Sequence, residues 1–293
     1  MRIFVTGASG WIGSAVVPEL ISAGHQVLGL ARSDASATAV AGLGAEVLRG
    51  DLNDTDVLRA GALDSDGVIH LAFVVPSVTE AATQTDARAI ETLAASLAGS
   101  GKPMLASGAT LVTPGRPSTE RDELIARGPV AARITNMQAA LAAAERDVRS
   151  GLVMLPRSVH GQGERHGFIP QLIAMARAKG VCGYIGDGTS RWPAVHVKDA
   201  ASLYRLAIEQ APAGAVLNAV GDEGVPVREI AEAIGRQLSL PARSLPATEY
   251  EGMLVPLLST DMPASSTITQ ELLGWKPTHP GLIEDIERGH YFT

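Results

Sequence analysis

Gly7, Gly10 and Gly13 stand in the stretch "VTGASGWIG", between a β-branched run at residues 2–6 and a helical pattern that starts near Trp11. A pyrophosphate held at a strand-to-helix turn needs this spacing. One glycine takes a positive φ, backbone amides approach the phosphates without side chains in the way, and the helix N-terminus faces their charge. With Ser9, Trp11 and Ile12 in the same turn, the chemistry expected here is dinucleotide binding; the alternative is an ordinary glycine-rich turn. The second apolar run ends "LGLARSD". An acidic residue there would hold the ribose hydroxyls of NAD, whereas Arg32 and Ser33 suit the 2′-phosphate of NADP. The expected cofactor is therefore NADP(H), with NAD(H) second. Asp34 lies just beyond and complicates that reading, and Arg32 could equally be a solvated surface residue.

The elements that must position these residues alternate along the chain. Short β-branched or apolar runs fall at residues 2–6, 26–31, 45–52, 67–73, 102–108 and 151–159. Helical patterns fall between them: residues 11–23 with Pro18 inside, 35–42, 54–63, 80–99 and a stretch from residue 129. Alternating strands and helices build a parallel sheet covered on both faces. In such a sheet Asp51 and Leu52, after the third strand, and Leu71, Ala72 and Phe73, after the fourth, fall at the carboxyl edge where adenine and ribose would lie. His70 reads more readily as a core histidine than as a ligand. Beyond residue 160 the alternation weakens, Pro and Gly become frequent, and two amphipathic helices are expected near 199–210 and 226–238. The organisation expected is a nucleotide-binding domain over residues 1–159 with a returning strand near 215–220, and a smaller lobe from 160–195 and 221–293.

The Gly7-x-x-Gly10-x-x-Gly13 turn, "GDLND" and "HLA" together resemble the short-chain dehydrogenase/reductase superfamily. "YIGDGTSRWPAVHVKDAASLYRLAIE" and "LGWKPTHPGLIEDIERGHYF" are similar to segments of its extended and atypical branch, the NAD-dependent epimerase/dehydratase-like or 3β-hydroxysteroid-dehydrogenase-like proteins. The resemblance covers nearly the whole chain. It implies an α/β fold, a Rossmann-type doubly wound parallel sheet with a smaller C-terminal substrate lobe, a bound nicotinamide cofactor and a substrate cleft beneath that lobe. It also implies that Pro156, Ser158 and Val159 neighbour the nicotinamide carboxamide, and that Ser107 or Thr110 steadies the substrate oxygen. Either hydroxyl could instead cap a turn.

In that superfamily a tyrosine handles the substrate proton and a lysine four residues later lowers its pKa. The spacing puts both on one helix face. The stretch "GPVAARITNMQAALAAAERD" occupies their place, and the two positions fall on Arg133 and Met137. Slipping the alignment does not restore the pair. Tyrosines occur only at Tyr184, Tyr204, Tyr250 and Tyr291, and lysines only at Lys102, Lys179, Lys198 and Lys276. Arg133 is no general acid, because its pKa stays above about 12. It could stabilise an oxyanion, clamp an anion, or simply pair with a carboxylate on the helix surface. His160, just after the sixth strand, is a candidate proton donor, with His166 and His196 behind it. A third route needs no acid: hydride transfer to a protonated imine, a flavin or a quinone.

In the lobe, Arg191 and Trp192 could clamp a planar or anionic substrate beside His166 and Tyr184. Alternatively Trp192 packs under the loop and Arg191 pairs with an acid. Phe168, Ile169, Met253 and Leu254 suggest apolar walls. No metal site is expected, since the histidines lack close ligand spacing. The Ala-rich helix at 130–144 could pack against a second copy in a homodimer or face its own core.

Composition bounds the rest. A formal charge of −7 argues against a nucleic-acid partner. No stretch approaches the roughly 20 apolar residues of a membrane span. A lone cysteine, Cys182, fits a cytoplasmic location and forbids an internal disulfide. The expectation is an NADP(H)-dependent oxidoreductase acting on a small or medium apolar carbonyl or imine compound. Its rivals are a non-catalytic cofactor-binding sensor and a nucleotide-sugar epimerase.

Overall fold

β1 (Arg2–Thr6) is buried along Ile3–Thr6 and leads into α1 (Gly13–Ser22), which runs through Pro18 without a break. The expected helix began at Trp11; Trp11 and Ile12 instead belong to the turn. The computed structural model of the protein describes residues 1–73, 79–252 and 254–292. β2 (Gln26–Ala31) is followed by α2 (Asp34–Gly42), capped by Ser33 in a reciprocal arrangement with Ser36. β3 (Glu46–Arg49) leads to α3 (Thr55–Leu63), capped by Asp54, and β4 (Gly67–His70) is buried throughout. α4 (Glu80–Leu97) starts at a Thr79 cap; β5 (Pro103–Ala109), α5 (Ala131–Ala142) and β6 (Arg149–Leu155) follow.

The sixth expected strand is longer than the observed one. β6 stops at Leu155 because Pro156 has no N–H to extend the ladder. The chain resumes as β7 (Ser158–His160) in another sheet. Next come α6 (Phe168–Lys179), β8 (Cys182–Tyr184), β9 (Arg191–His196), α7 (Val197–Gln210) and β10 (Ala215–Asn218). The remaining elements are β11 (Asp222–Pro226), α8 (Val227–Leu238), β12 (Ala242–Ser244), α9 (Leu254–Ser259), α10 (Thr267–Leu273) and α11 (Leu282–Glu287).

The main sheet has seven strands in the order β10-β6-β5-β4-β1-β2-β3, all parallel. Strand order reverses between β1 and β4, and ligands of such sheets bind at the carboxyl ends of the strands beside that point. One core under the sheet joins Val16, Val17 and Leu20 of α1 to Leu203, Tyr204 and Ile208 of α7. The core on the other face joins Leu58 of α3, Leu93 and Leu97 of α4 and Met137 of α5. Ala140 and Ala143 face this core, while Ala132, Ala139 and Ala142 are exposed. A third cluster, with Trp192, Ile230 and Leu258, holds the smaller sheets β11-β9-β7 and β12-β8 together.

Candidate functional site

The glycine turn is a closed backbone fold. Gly7 has φ +73°, and a Cβ there would stand 2.7 Å from the Ala72 nitrogen. A Cβ on Gly13 would stand 2.2 Å from the Gly7 carbonyl oxygen. The Gly10 amide donates to that carbonyl at 2.9 Å. Backbone thus packs too closely for side chains at Gly7 and Gly13, and the turn opens a ten-residue helix, whose N-terminal amides suit a pyrophosphate. Ser9 is exposed and Ile12 half-buried. Trp11 donates its indole N–H to the Val159 carbonyl at 2.7 Å, which ties the turn to β7.

At the edge of β2, Arg32 is exposed and makes no hydrogen bond or ion pair among the described residues. The Ser33 hydroxyl accepts from the Ser36 amide and is occupied with capping α2. Asp34 is held by Arg49 at 2.9 Å, and Arg49 also donates to the Ser33 carbonyl at 2.7 Å. Arg49 was not among the residues singled out from sequence. The signal for it is registry: it is the partner of Ala31 across β2 and β3, one residue from Arg32. Asp51 accepts from the Asn53 backbone N–H at 3.0 Å and its side-chain amide at 2.7 Å. The backbone bond, with the amide and the Arg32 charge behind it, holds the Asp51 carboxyl below its usual range against partial burial. Leu52 and Leu71–Phe73 are exposed or half-buried at the same edge.

His70 is a core residue. Its Nδ1 is 2.7 Å from the Thr6 hydroxyl and its Nε2 is 3.2 Å from Asp86. Asp86 is buried on α4 and receives the Arg133 guanidinium at 2.6 Å and the Asn136 amide at 2.6 Å. Burial pushes the Asp86 carboxyl up, but the His70 hydrogen bond, the Arg133 and His70 charges and the Asn136 amide together hold it below the ordinary carboxylate range. Arg133 also donates to the Ser107 carbonyl at 2.6 Å and lies 4.2 Å over the Phe73 ring. Of the readings open for Arg133, carboxylate pairing is what the contacts display, with the carboxylate buried between helices rather than on the surface. Met137, one turn on, is buried against Gly108, where a Cβ would meet its Cε at 2.9 Å.

The two candidate hydroxyls differ. Ser107 donates to the His70 carbonyl at 3.1 Å and is 2.8 Å from the buried Tyr204 hydroxyl. Tyr204, on α7, is raised above the ordinary tyrosine range by burial. Thr110 bonds the Leu155 carbonyl through its backbone N–H at 2.9 Å, and its buried hydroxyl has no partner among the described residues. Thr110 is therefore the buried hydroxyl of the two that the described residues leave without a partner.

His160 is fully buried and its Nδ1 is 2.9 Å from Asp285 of α11. Its ring meets His196 edge-on at 5.5 Å, and His196 stacks on His279 at 4.7 Å. Burial, with His160 alongside, pushes His196 down to about 4. Glu164 is pushed up to about 7 by burial, while the Tyr291 hydroxyl donates to it at 2.7 Å. These side chains pin the C-terminal segment to β7 and β9. His166 is exposed, and Tyr184 lies under Arg228 at 5.3 Å.

Of the two readings of Arg191 and Trp192, the contacts display the one in which Trp192 packs inside and Arg191 pairs with an acid. Neighbours on a strand point to opposite faces. Arg191 makes a bidentate pair with Asp261 at 3.0 and 2.8 Å, whereas Trp192 is fully buried and donates to the Leu257 carbonyl at 3.0 Å. Phe168 meets Trp192 edge-on at 6.1 Å, Ile169 is buried and Leu254 packs on the same core. Met253 lies outside the described residues. Pro156 and Ser158 are buried at the junction of β6 and β7, and Val159 is half-buried. Among the described residues, no three His, Cys, Asp or Glu side chains converge to hold a metal ion, and no helix is long and apolar enough to cross a membrane.

The model of the NAD dependent epimerase/dehydratase family matches residues 3–219. The chain belongs to this family. Uncharacterized protein C2A9.02 of Schizosaccharomyces pombe is 43% identical over 100% of both chains. A UDP-glucose 4-epimerase of Streptomyces lividans is 28% identical, covering 96% of this chain and 93% of its own. A 4-hydroxy-2-methyl-3-oxo-4-farnesyl-3,4-dihydroquinoline-1-oxide ketoreductase of Stigmatella aurantiaca is 29% identical over 74% and 67%. The crystal structure of a dTDP-glucose 4,6-dehydratase from Bacillus anthracis in complex with NAD superposes with a TM-score of 0.79 at 15% identity, over 99% and 95%. That last likeness is one of fold.

Proposed function

We propose that this member of the epimerase/dehydratase family is an NADP(H)-dependent reductase or dehydrogenase of a small or medium carbonyl or imine compound. The observation that carries the cofactor choice is the unpaired Arg32 at the end of β2, beside an Asp34 whose charge Arg49 already balances. A 2′-phosphate there meets an exposed guanidinium that makes no hydrogen bond among the described residues and acts on the Asp51 carboxylate only at a distance. The main sheet, residues 1–159 with β10, would hold the cofactor; residues 160–195 and 221–293 would cover the substrate.

Bound reduced nicotinamide supplies a hydride and its two electrons to the substrate carbon. The chain's own part is to bind and polarise. The Thr110 hydroxyl is free to donate to the substrate oxygen or nitrogen. Arg133, fixed on Phe73 and by Asp86, offers its remaining N–H groups to developing negative charge. Neither is a strong acid, so the proton comes from solvent or arrives with a protonated imine. His160 is enclosed with Asp285 and takes no part in this reading. The ketoreductase among the relatives supports a carbonyl reduction. The test is NADPH oxidation against ketones, imines, flavins and quinones. Turnover that falls at least tenfold in Thr110→Val supports the reading; turnover unchanged in that variant removes Thr110 from it.

One observation favours a second reading. Arg133 and Met137 stand where the dyad would be, and both are committed to protein contacts. A cofactor-binding sensor needs no more. Tight NADPH binding with no turnover on the whole panel decides for the sensor. The epimerase reading has the Streptomyces lividans relative behind it and lacks a tyrosine to carry the proton.

A further inference from the structure

Arg157 is the residue the mechanism above leaves unused. It sits in the two-residue junction between β6 and β7, where the carboxyl edge of the main sheet meets the smaller lobe. Its guanidinium lies 5.5 Å over the Trp192 ring and donates one hydrogen bond to the Leu257 carbonyl. Among the described residues it makes no ion pair and no other hydrogen bond. The residue as a whole is half-buried. Burial alone, with no neighbouring carboxylate to offset it, pushes the group down to about 10. Holding a cation in this way costs stability unless it is paired. Arg133 and Arg191 each have a carboxylate, whereas Arg149 at the start of β6 has none among the described residues and donates to two carbonyls, those of Ala211 and Ile208, where Arg157 has one.

Position narrows what would pair with it. Ala109 and Leu155 are partners across β5 and β6, so Thr110 is level with Pro156 and one residue short of Arg157. One to two residues of strand is about 3–7 Å. A single guanidinium fork over an indole face matches a planar group of one negative charge, held by two parallel N–H···O bonds. A phosphate, with nearly two charges, would call for a second cation, and among the described residues no second cation contacts Arg157 or Trp192.

We propose that Arg157 is a substrate-binding residue that recognises a carboxylate, so that the substrate carries a carboxylate besides its carbonyl or imine. This rests on the reading of the cleft as a carbonyl or imine site, and it adds the charge that the substrate must carry.

The test is calorimetric titration of the full chain with 2-oxobutanoate, its methyl ester and inorganic phosphate, without cofactor, for the wild type, Arg157→Met and Arg157→Lys. Methionine keeps the apolar contact with Trp192 and removes the cost of a buried charge, so R157M is expected to melt at or above the wild-type temperature. The wild type should bind the acid at least tenfold more tightly than the ester. R157M should lose that preference, and R157K should keep part of it. Equal binding of acid and ester, undiminished acid binding in R157M, or no binding of the acid to the wild type would overturn the proposal. Phosphate binding more tightly than the carboxylate would overturn the choice of anion. Because no cofactor is present, the outcome does not depend on NADPH binding, which a separate NADPH titration reads and which bears on the dinucleotide reading alone.

Discussion

Arg133 of α5 and Asp86 of α4 meet at 2.6 Å, and the carboxylate they share with His70 and Asn136 is buried between the helices and the sheet. A residue at the expected tyrosine position thus closes a polar network that runs from the cleft to Thr6 at the end of β1. Breaking a buried pair from one side leaves an uncompensated charge and costs on the order of 3–5 kcal/mol. Asp86→Ala should lower unfolding stability by that order in urea titrations. A loss below about 1 kcal/mol would show that Arg133 finds solvent instead.

The same pair sets a pH dependence. Asp86 is held below its unfolded value of about 3.9. Its contribution is therefore present above that pH and is lost as pH falls through the lower folded value. Between pH 5 and 2, the stability of Asp86→Asn should fall less steeply than that of the wild type. Parallel curves would mean that Asp86 does not carry the charge assigned to it.

Glu164 has the opposite sign. Burial raises it to about 7, so its contribution is present below the unfolded value of about 4.3 and is lost as pH rises through 7. Glu164→Gln keeps an acceptor for the Tyr291 hydroxyl and removes the charge. It should gain on the order of 2–3 kcal/mol over the wild type between pH 5 and pH 8, read as the divergence of two melting curves. No divergence would place the titration elsewhere in the cluster with Asp285.

Gly13 is tested by one methyl group. A Cβ 2.2 Å from the Gly7 carbonyl has no room, and the obstacle is backbone. Gly13→Ala should unfold the turn and remove dinucleotide binding, whereas Gly24→Ala, with open space around it, should leave binding intact and act only through its positive φ of +86°. Equal cofactor affinity in Gly13→Ala would mean that the turn is not the pyrophosphate site.

Much of the fold was legible because its signals are local. Glycine spacing, β-branched runs and helical periodicity mark the strands and helices of the main sheet, and the returning strand falls at Ala215–Asn218. What was missed depends on one local terminator and otherwise on contacts far along the chain. The end of β6 needed Pro156 to be read as a terminator, not as part of a strand. Arg49 reaches Asp34 only through β2–β3 registry. The fate of Arg133 depends on Asp86, 47 residues earlier, and that of His160 on Asp285, 125 residues later. No local pattern distinguishes a half-buried arginine with a carboxylate from Arg157, which lacks one.

The central claim is that the turn at Gly7, Gly10 and Gly13, with Arg32 beside it, selects NADP(H). Calorimetric titration of the purified chain with NADPH and NADH, for the wild type and Arg32→Ala, tests it most directly. The account predicts that NADPH binds the wild type at least tenfold more tightly than NADH, and that Arg32→Ala weakens NADPH while leaving NADH within twofold. Equal affinity for the two cofactors in the wild type, or no binding of either, would contradict it.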